Sequence, residues 1–272
     1  MTAHRYSDAS QAGRDVAEML LDGSSYVEGF EADAAARNRW VPGLFVMRVR
    51  RLVRAALVLA DAGQGLEASI LLRSVTEYLI TLHWLFLDFD AHDLIWRIDD
   101  LRSIIAMDDA ASRAGFAILE PRIRQMYVDA RDRWREKIDT LENIDARVPE
   151  KARGRLPSFE QRAQAAQLQG LYGLAYRWDS LGAAHPNATA VEQFLERPGG
   201  RVFRVSPQSQ HPLPDPYPIA ALLLMLVLLK AGEVSDEFRF AGDLNVVADQ
   251  LREMGAIAVV DEAPIATEPI LE

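Results

Sequence analysis

The sequence predicts an all-α protein built as a multi-helix bundle, and three observations predict it. Apolar residues recur at helical spacing through most of the chain. Glycine- and proline-bearing breaks separate those stretches. Strand-like alternation shows in one short run, Arg201 to Val205. With 272 residues, 49% of them hydrophobic, the chain can bury a sizeable core, so a single helical domain is expected over 1–255, followed by a loosely ordered tail, 256–272.

The first helix is expected around Ser10 to Leu21, ending at Asp22-Gly23, and a second over Ser25 to Arg39. From Val41 to Ala62 a broad apolar face, with Phe45, Val46, Val49, Val53 and Leu57, alternates with Arg48, Arg50, Arg51 and Arg54. The arginines read as a solvated face. After the break Asp61-Ala-Gly-Gln-Gly65 comes a helix from Leu66 to Phe89 that is apolar on nearly every side. Helical spacing resumes from Leu94 to Met107, and Pro121 opens a highly charged helix through Lys137 that belongs on the surface. A polar linker, Val148 to Pro157, precedes Ser158 and Gln161, which have the spacing of a capping box, and helix is expected from there towards Ala184. Pro186 bars helical geometry at His185. The irregular insertion that follows holds a small hairpin and Pro207, Pro212, Pro214, Pro216 and Pro218. Helix returns from Ile219 to Phe238 and from Leu244 to Met254.

Composition removes several classes of function. Without cysteine there is no disulfide scaffold, thiolate metal site or cysteine nucleophile. A formal charge of -10 disfavours broad adhesion to nucleic acid or anionic lipid, while leaving room for a local basic groove. The N-terminus lacks a secretory pattern, and the apolar run Ile219 to Leu229 falls short of the ~20 residues a membrane span requires. A cytoplasmic protein with no membrane partner is expected. No glycine-rich phosphate loop, dinucleotide fingerprint or nucleophile elbow occurs, and no cofactor is implied. Asp88, Asp90, His92 and Asp93 read as a solvated helix-end cluster rather than metal ligands, and His83 as a packed histidine.

Chemistry concentrates in two polar sets. On the apolar helix, Arg73, Glu77 and Thr81 fall on one narrow stripe, where neither charge has an obvious route to water. An exposed pair at this spacing adds only ~0.2–0.5 kcal/mol, and acid before base is the better order, so helix stabilisation explains the pair poorly. About a hundred residues later Tyr172, Tyr176 and Ser180 share one helix face, with His185 just beyond. The two sets are expected to meet. Two readings stay open: a buried network that fixes helix register, or a pocket for a ligand or reaction. In the second reading His185 is the general acid or base, Glu77 orients or charges it, and Arg73 holds an anion.

The pattern LLRSVTEYLITLHWL followed, after a helical spacer, by LYGLAYRWDSLGAAHPNA resembles a bacterial helical family of largely unknown function. The resemblance spans roughly Val53 to Leu229. Its Arg-x3-Glu and Tyr-x3-Ser-x4-His features match Arg73, Glu77, Tyr176, Ser180 and His185, and imply a shared site. More distantly the chain resembles HEPN-type bundles, many of them ribonuclease toxins or phage-defence effectors that dimerise. That likeness implies a homodimer, RNA as substrate and metal-independent cleavage; a small anionic ligand bound without turnover, or a structural interaction module, are the alternatives. HEPN enzymes place Arg and His four to six residues apart on one helix, whereas here Arg177 and His185 have seven residues between them and Pro186 follows.

Overall fold

The computed structural model describes residues 8–31, 33, 36–173, 195–196, 204–205 and 215–255. In chain order its helices are α1 (Asp8–Gly23), α2 (Arg37–Asp61), α3 (Gly65–Leu85), α4 (Phe89–Arg113), α5 (Pro121–Asp139), α6 (Ile144–Arg147), α7 (Phe159–Ala165), α8 (Gln169–Leu171), α9 (Pro216–Val234) and α10 (Leu244–Glu253). Two short strands, β1 (Leu195–Glu196) and β2 (Arg204–Val205), pair antiparallel with Leu195 opposite Val205. The all-α expectation holds, and β2 falls in the run whose alternation suggested a strand. The chain groups into two compact units, Met1–Leu82 with Ala163–Glu272, and His83–Arg162.

In the first unit α9 is the core helix, packed against α1, α2 and α10. Ala220 to Met225, Val227, Leu228 and Ala231 are all buried along it. Each leucine withdrawn from water there contributes ~1.5–3 kcal/mol before conformational entropy is subtracted. The helix is longer than the apolar run Ile219 to Leu229, because Asp215 caps it from outside by accepting the Tyr217 amide at 3.0 Å and Pro216 opens the first turn. At 19 residues it is long and apolar enough to cross a membrane by length and composition, but 61% of its most apolar stretch is covered by protein. Two close approaches fix the packing. A Cβ on Gly13 of α1 would lie 2.7 Å from the Pro218 backbone nitrogen, and one on Gly43 of α2 would lie 2.4 Å from the Phe238 ring.

Several boundaries depart from expectation. Where one helix is expected over Ser25 to Arg39, the described residues show a 3-10 turn, Ser25–Val27, an extended Glu28, and then the start of α2 at Arg37. Gly29 there has φ +78°, a left-handed conformation that ends helical propagation. Helix α2 begins before Val41 and carries Pro42 inside it. Helix α7 stops at Ala165 and Gln167 takes φ 59°, so the expected helix from Ser158 towards Ala184 is interrupted. Its capping box does form: the Ser158 amide donates to Gln161 Oε1 at 2.9 Å, and the Gln161 amide donates to Ser158 Oγ at 3.2 Å.

In the second unit α4 and α5 pack together as a helical hairpin. Only Ile138 of α5 is buried, as the charge of that helix foretold. Asp108, 2% exposed, closes the turn: its Oδ1 accepts the amides of Ile118 at 3.0 Å and Leu119 at 2.9 Å, and Arg124 Nε lies 3.3 Å from its Oδ2. Arg97 stacks over Trp134 with its guanidinium 3.5 Å from the ring centre.

Candidate functional site

Helix α3 forms because its apolar residues leave no polar face: among its 21 residues only Glu67 is exposed. Three of its hydroxyls donate to carbonyls of the helix itself. Thr76 Oγ1 donates to the Leu72 carbonyl at 3.2 Å, Ser74 Oγ to Ile70 at 3.4 Å, and Thr81 Oγ1 to Glu77 at 2.7 Å. The chemistry left on the helix is carried by Arg73, Glu77, Tyr78 and His83.

Arg73 Nη2 lies 3.3 Å from Glu77 Oε1, with side-chain exposures of 18% and 28%. The expected pair is present, yet it is half-buried rather than sealed from water. Ile70, Arg73, Ser74, Glu77 and Tyr78 are all half-buried and lie within one sector of the helix, so the stripe runs along the margin of the core. Thr81, one turn further on, is buried at 6%. The 3.3 Å separation is longer than the 2.7–2.9 Å of a tight charge-assisted bond. Arg73 and Glu77 each take part in a further interaction beyond the pair. On the flank of the stripe Tyr78 accepts from Arg48 Nε at 3.3 Å and meets Phe45 edge-on, centroids 5.9 Å apart.

Of the second polar set, Tyr176, Ser180 and His185 lie outside the described residues. The residue that leads into them is described. Tyr172 packs against a cluster of Ile80, Ala163 and Leu168, all buried, and Ile80 stands three residues after Glu77 on α3. The chain therefore delivers the start of the second set to the helix that carries the first.

Elsewhere the structure changes what the sequence suggested. Of Asp88, Asp90, His92 and Asp93, expected as a solvated cluster, only Asp90 is exposed. Asp88 caps α4 and is gripped by Arg147, whose Nε donates to Oδ2 at 2.6 Å and whose Nη2 donates to Oδ1. That hydrogen bonding holds the Asp88 carboxyl below the usual carboxylate range. His92 stacks on Trp84, centroids 4.1 Å apart, with Nδ1 2.7 Å from the Trp84 carbonyl oxygen, and burial pushes its pKa down. Asp93 is only 5% exposed and lies 3.5 Å from Arg97. Among the described residues no group of three or more histidines and carboxylates is arranged to hold a metal. His83 is half-buried. Arg50, expected on a solvated face, is buried at 4%, because Nη1 donates to Glu28 Oε1 at 2.7 Å and Nη2 to the Leu21 carbonyl at 2.8 Å. Nothing in local sequence signals that pairing, since Glu28 and Leu21 precede Arg50 by one or two elements.

Comparison with known families matches residues 39–202 to the family of unknown function DUF5677. The chain belongs to the DUF5677 family. The match takes in α2 from Arg39 onward, α3 and both polar motifs, with Arg73, Glu77, Tyr176, Ser180 and His185 inside it. It starts earlier and stops sooner than the span Val53 to Leu229 on which the sequence resemblance rests, leaving α1 and the core helix α9 beyond the DUF5677 region. No curated protein and no solved structure matches this DUF5677 chain.

Proposed function

We propose that this DUF5677 protein is a cytoplasmic, metal-independent RNA-cleaving enzyme of the toxin or phage-defence kind, centred on the α3 stripe. The observation that supports the reading most is the seating of Tyr172, four residues before Tyr176 in the sequence, against Ile80, one turn from Glu77 on α3. In this reading Arg73 holds the scissile phosphate. His185 takes the proton of the ribose 2′-hydroxyl, whose oxygen attacks the neighbouring phosphorus as the bond to the 5′-oxygen breaks and that oxygen takes up a proton. Glu77 keeps His185 basic by its charge, while Tyr176 and Ser180 supply hydrogen bonds to the phosphoryl oxygens. The test is RNA incubated with the purified protein in EDTA. Cleavage by the native protein that is lost in His185→Ala, with circular dichroism and melting unchanged, is expected; no cleavage of any RNA by the native protein overturns the enzymatic reading.

The formal charge of -10 favours a second reading, a non-enzymatic protein in which Arg73 anchors a small anion. A thermal-shift screen separates the two: nucleotides or small anions raise the melting temperature without turnover if the second reading holds.

A further inference from the structure

We propose that α2 and the turn after α1 form a second, separate site, a cleft that anchors a phosphate-bearing small molecule through its phosphoryl group. The cleft holds about 230 Å³ and is lined by Glu28, Met47, Arg50, Arg51 and Arg54. Met47, Arg50, Arg51 and Arg54 follow the i, i+3, i+4, i+7 spacing that puts them on one face of α2. Three guanidinium groups share the cleft with a single carboxylate, in a chain whose formal charge is -10. This concentration of positive charge runs against the overall balance and persists in one place.

The three arginines are not alike. Arg50 is 4% exposed and held from two directions, by Glu28 and by the Leu21 carbonyl. Its Nε is buried and has no hydrogen-bond partner among the described residues. A fixed, desolvated guanidinium with donor capacity left over is what an anion site needs, because the ordering cost is met before the ligand arrives. Arg51 and Arg54 are exposed and form no ion pair among the described residues, so they are free to close on a ligand. Glu28, 61% exposed, is the one carboxylate in the lining, and its charge is spent on holding Arg50. The volume also selects: drug-sized ligands occupy ~300–1,000 Å³, so the cleft accepts a phosphoryl group while the rest of the molecule stays outside.

A neighbouring cleft of about 250 Å³ shares Arg54 and is lined further by Arg14, Glu18, Asp22 and Asp61. There Arg14 is engaged with Asp61 at 2.8 Å and Glu18 at 3.1 Å. Its carboxylates repel a second anion, which confines the phosphoryl group to the Arg50 side. No residue of the α3 stripe lines the cleft, and the proposal does not depend on that stripe.

The experiment is isothermal calorimetry with inorganic phosphate and with pyrophosphate, at constant ionic strength set by sodium chloride. It compares the native protein with Arg51→Gln/Arg54→Gln and with Arg73→Gln, which removes the cation of the α3 stripe. Arg51 and Arg54 are exposed, so the double variant retains the fold, and melting curves check both variants. Saturable binding at millimolar phosphate or tighter, weakened at least tenfold in the double variant and unchanged in Arg73→Gln, is expected. Pyrophosphate binding tighter than phosphate marks a ligand with a diphosphate head, and equal binding marks a monophosphate. Binding that survives the double variant, or that is lost in Arg73→Gln instead, overturns the proposal, as does no saturable binding at all.

Discussion

Replacing Glu77 by glutamine removes one negative charge at nearly constant shape and leaves Arg73 opposite a neutral amide. The expected loss follows from where the pair sits. An exposed i,i+4 ion pair contributes about 0.3–0.5 kcal/mol, and breaking a fully buried one costs about 3–5 kcal/mol. Exposures of 18% and 28% and a 3.3 Å separation place this pair between those limits. The base-first order removes the small bonus of alignment with the helix dipole. A loss of about 1–2 kcal/mol is predicted, which at an m-value of about 2–3 kcal/mol/M moves the urea midpoint down by roughly 0.5 M. Most of it should survive in 0.5 M sodium chloride, since partly buried charges are screened less than exposed ones. A loss below about 0.5 kcal/mol that disappears in salt would refute the reasoning, for the pair would then be an ordinary surface contact.

Three further outcomes are expected. Gly13→Ala sets about 1 kcal/mol of helix propensity against about 1–3 kcal/mol of overpacking on the Pro218 backbone, so a net loss of about 1 kcal/mol should appear as a melting point a few degrees lower; a stabilised variant contradicts the close approach of α1 to α9. Asp108→Ala strips two amides and Arg124 of their acceptor, and hydrogen exchange at Ile118 and Leu119 should quicken by tenfold or more, while unchanged exchange contradicts the turn assignment. Burial lowers the pKa of folded His92, so the unfolded chain takes up the proton first. Stability should fall as pH drops below about 6.5 until the lower folded pKa is reached. His92→Gln should flatten that part of the stability curve, as followed by urea midpoints between pH 5 and 8. Asp88, held low by Arg147, governs a separate and more acid limb that this variant leaves in place.

The helical frame was legible because burial writes a period into the sequence. Helix α3 shows an apolar residue in almost every direction, and the structure leaves only Glu67 exposed. Capping wrote itself plainly too, in Ser158 and Gln161. Boundaries were less readable. Pro42 lies inside α2 although proline usually marks a first turn, and after Val27 the chain turns extended at Glu28 and left-handed at Gly29. The Arg73-Glu77 pair was found from spacing alone, whereas its half-buried setting depends on which neighbours cover the stripe. Long-range partners were invisible: Arg50 with Glu28, and Asp88 with Arg147, join residues that no periodicity connects. Those two pairings withdrew Arg50 from a face on which Arg48, Arg51 and Arg54 stay exposed, and fixed Asp88 at the start of α4 while Asp90 stays exposed.

Whether the two polar sets form one centre is answered by titrating the imidazole of His185 by NMR in the native protein and in Glu77→Gln, with His185→Gln to assign the signal. If Glu77 lies beside His185, losing its charge while Arg73 stays positive should lower the histidine pKa by about one unit or more. An unchanged pKa would mean that the two sets do not meet, and the proposed centre on α3 would be withdrawn.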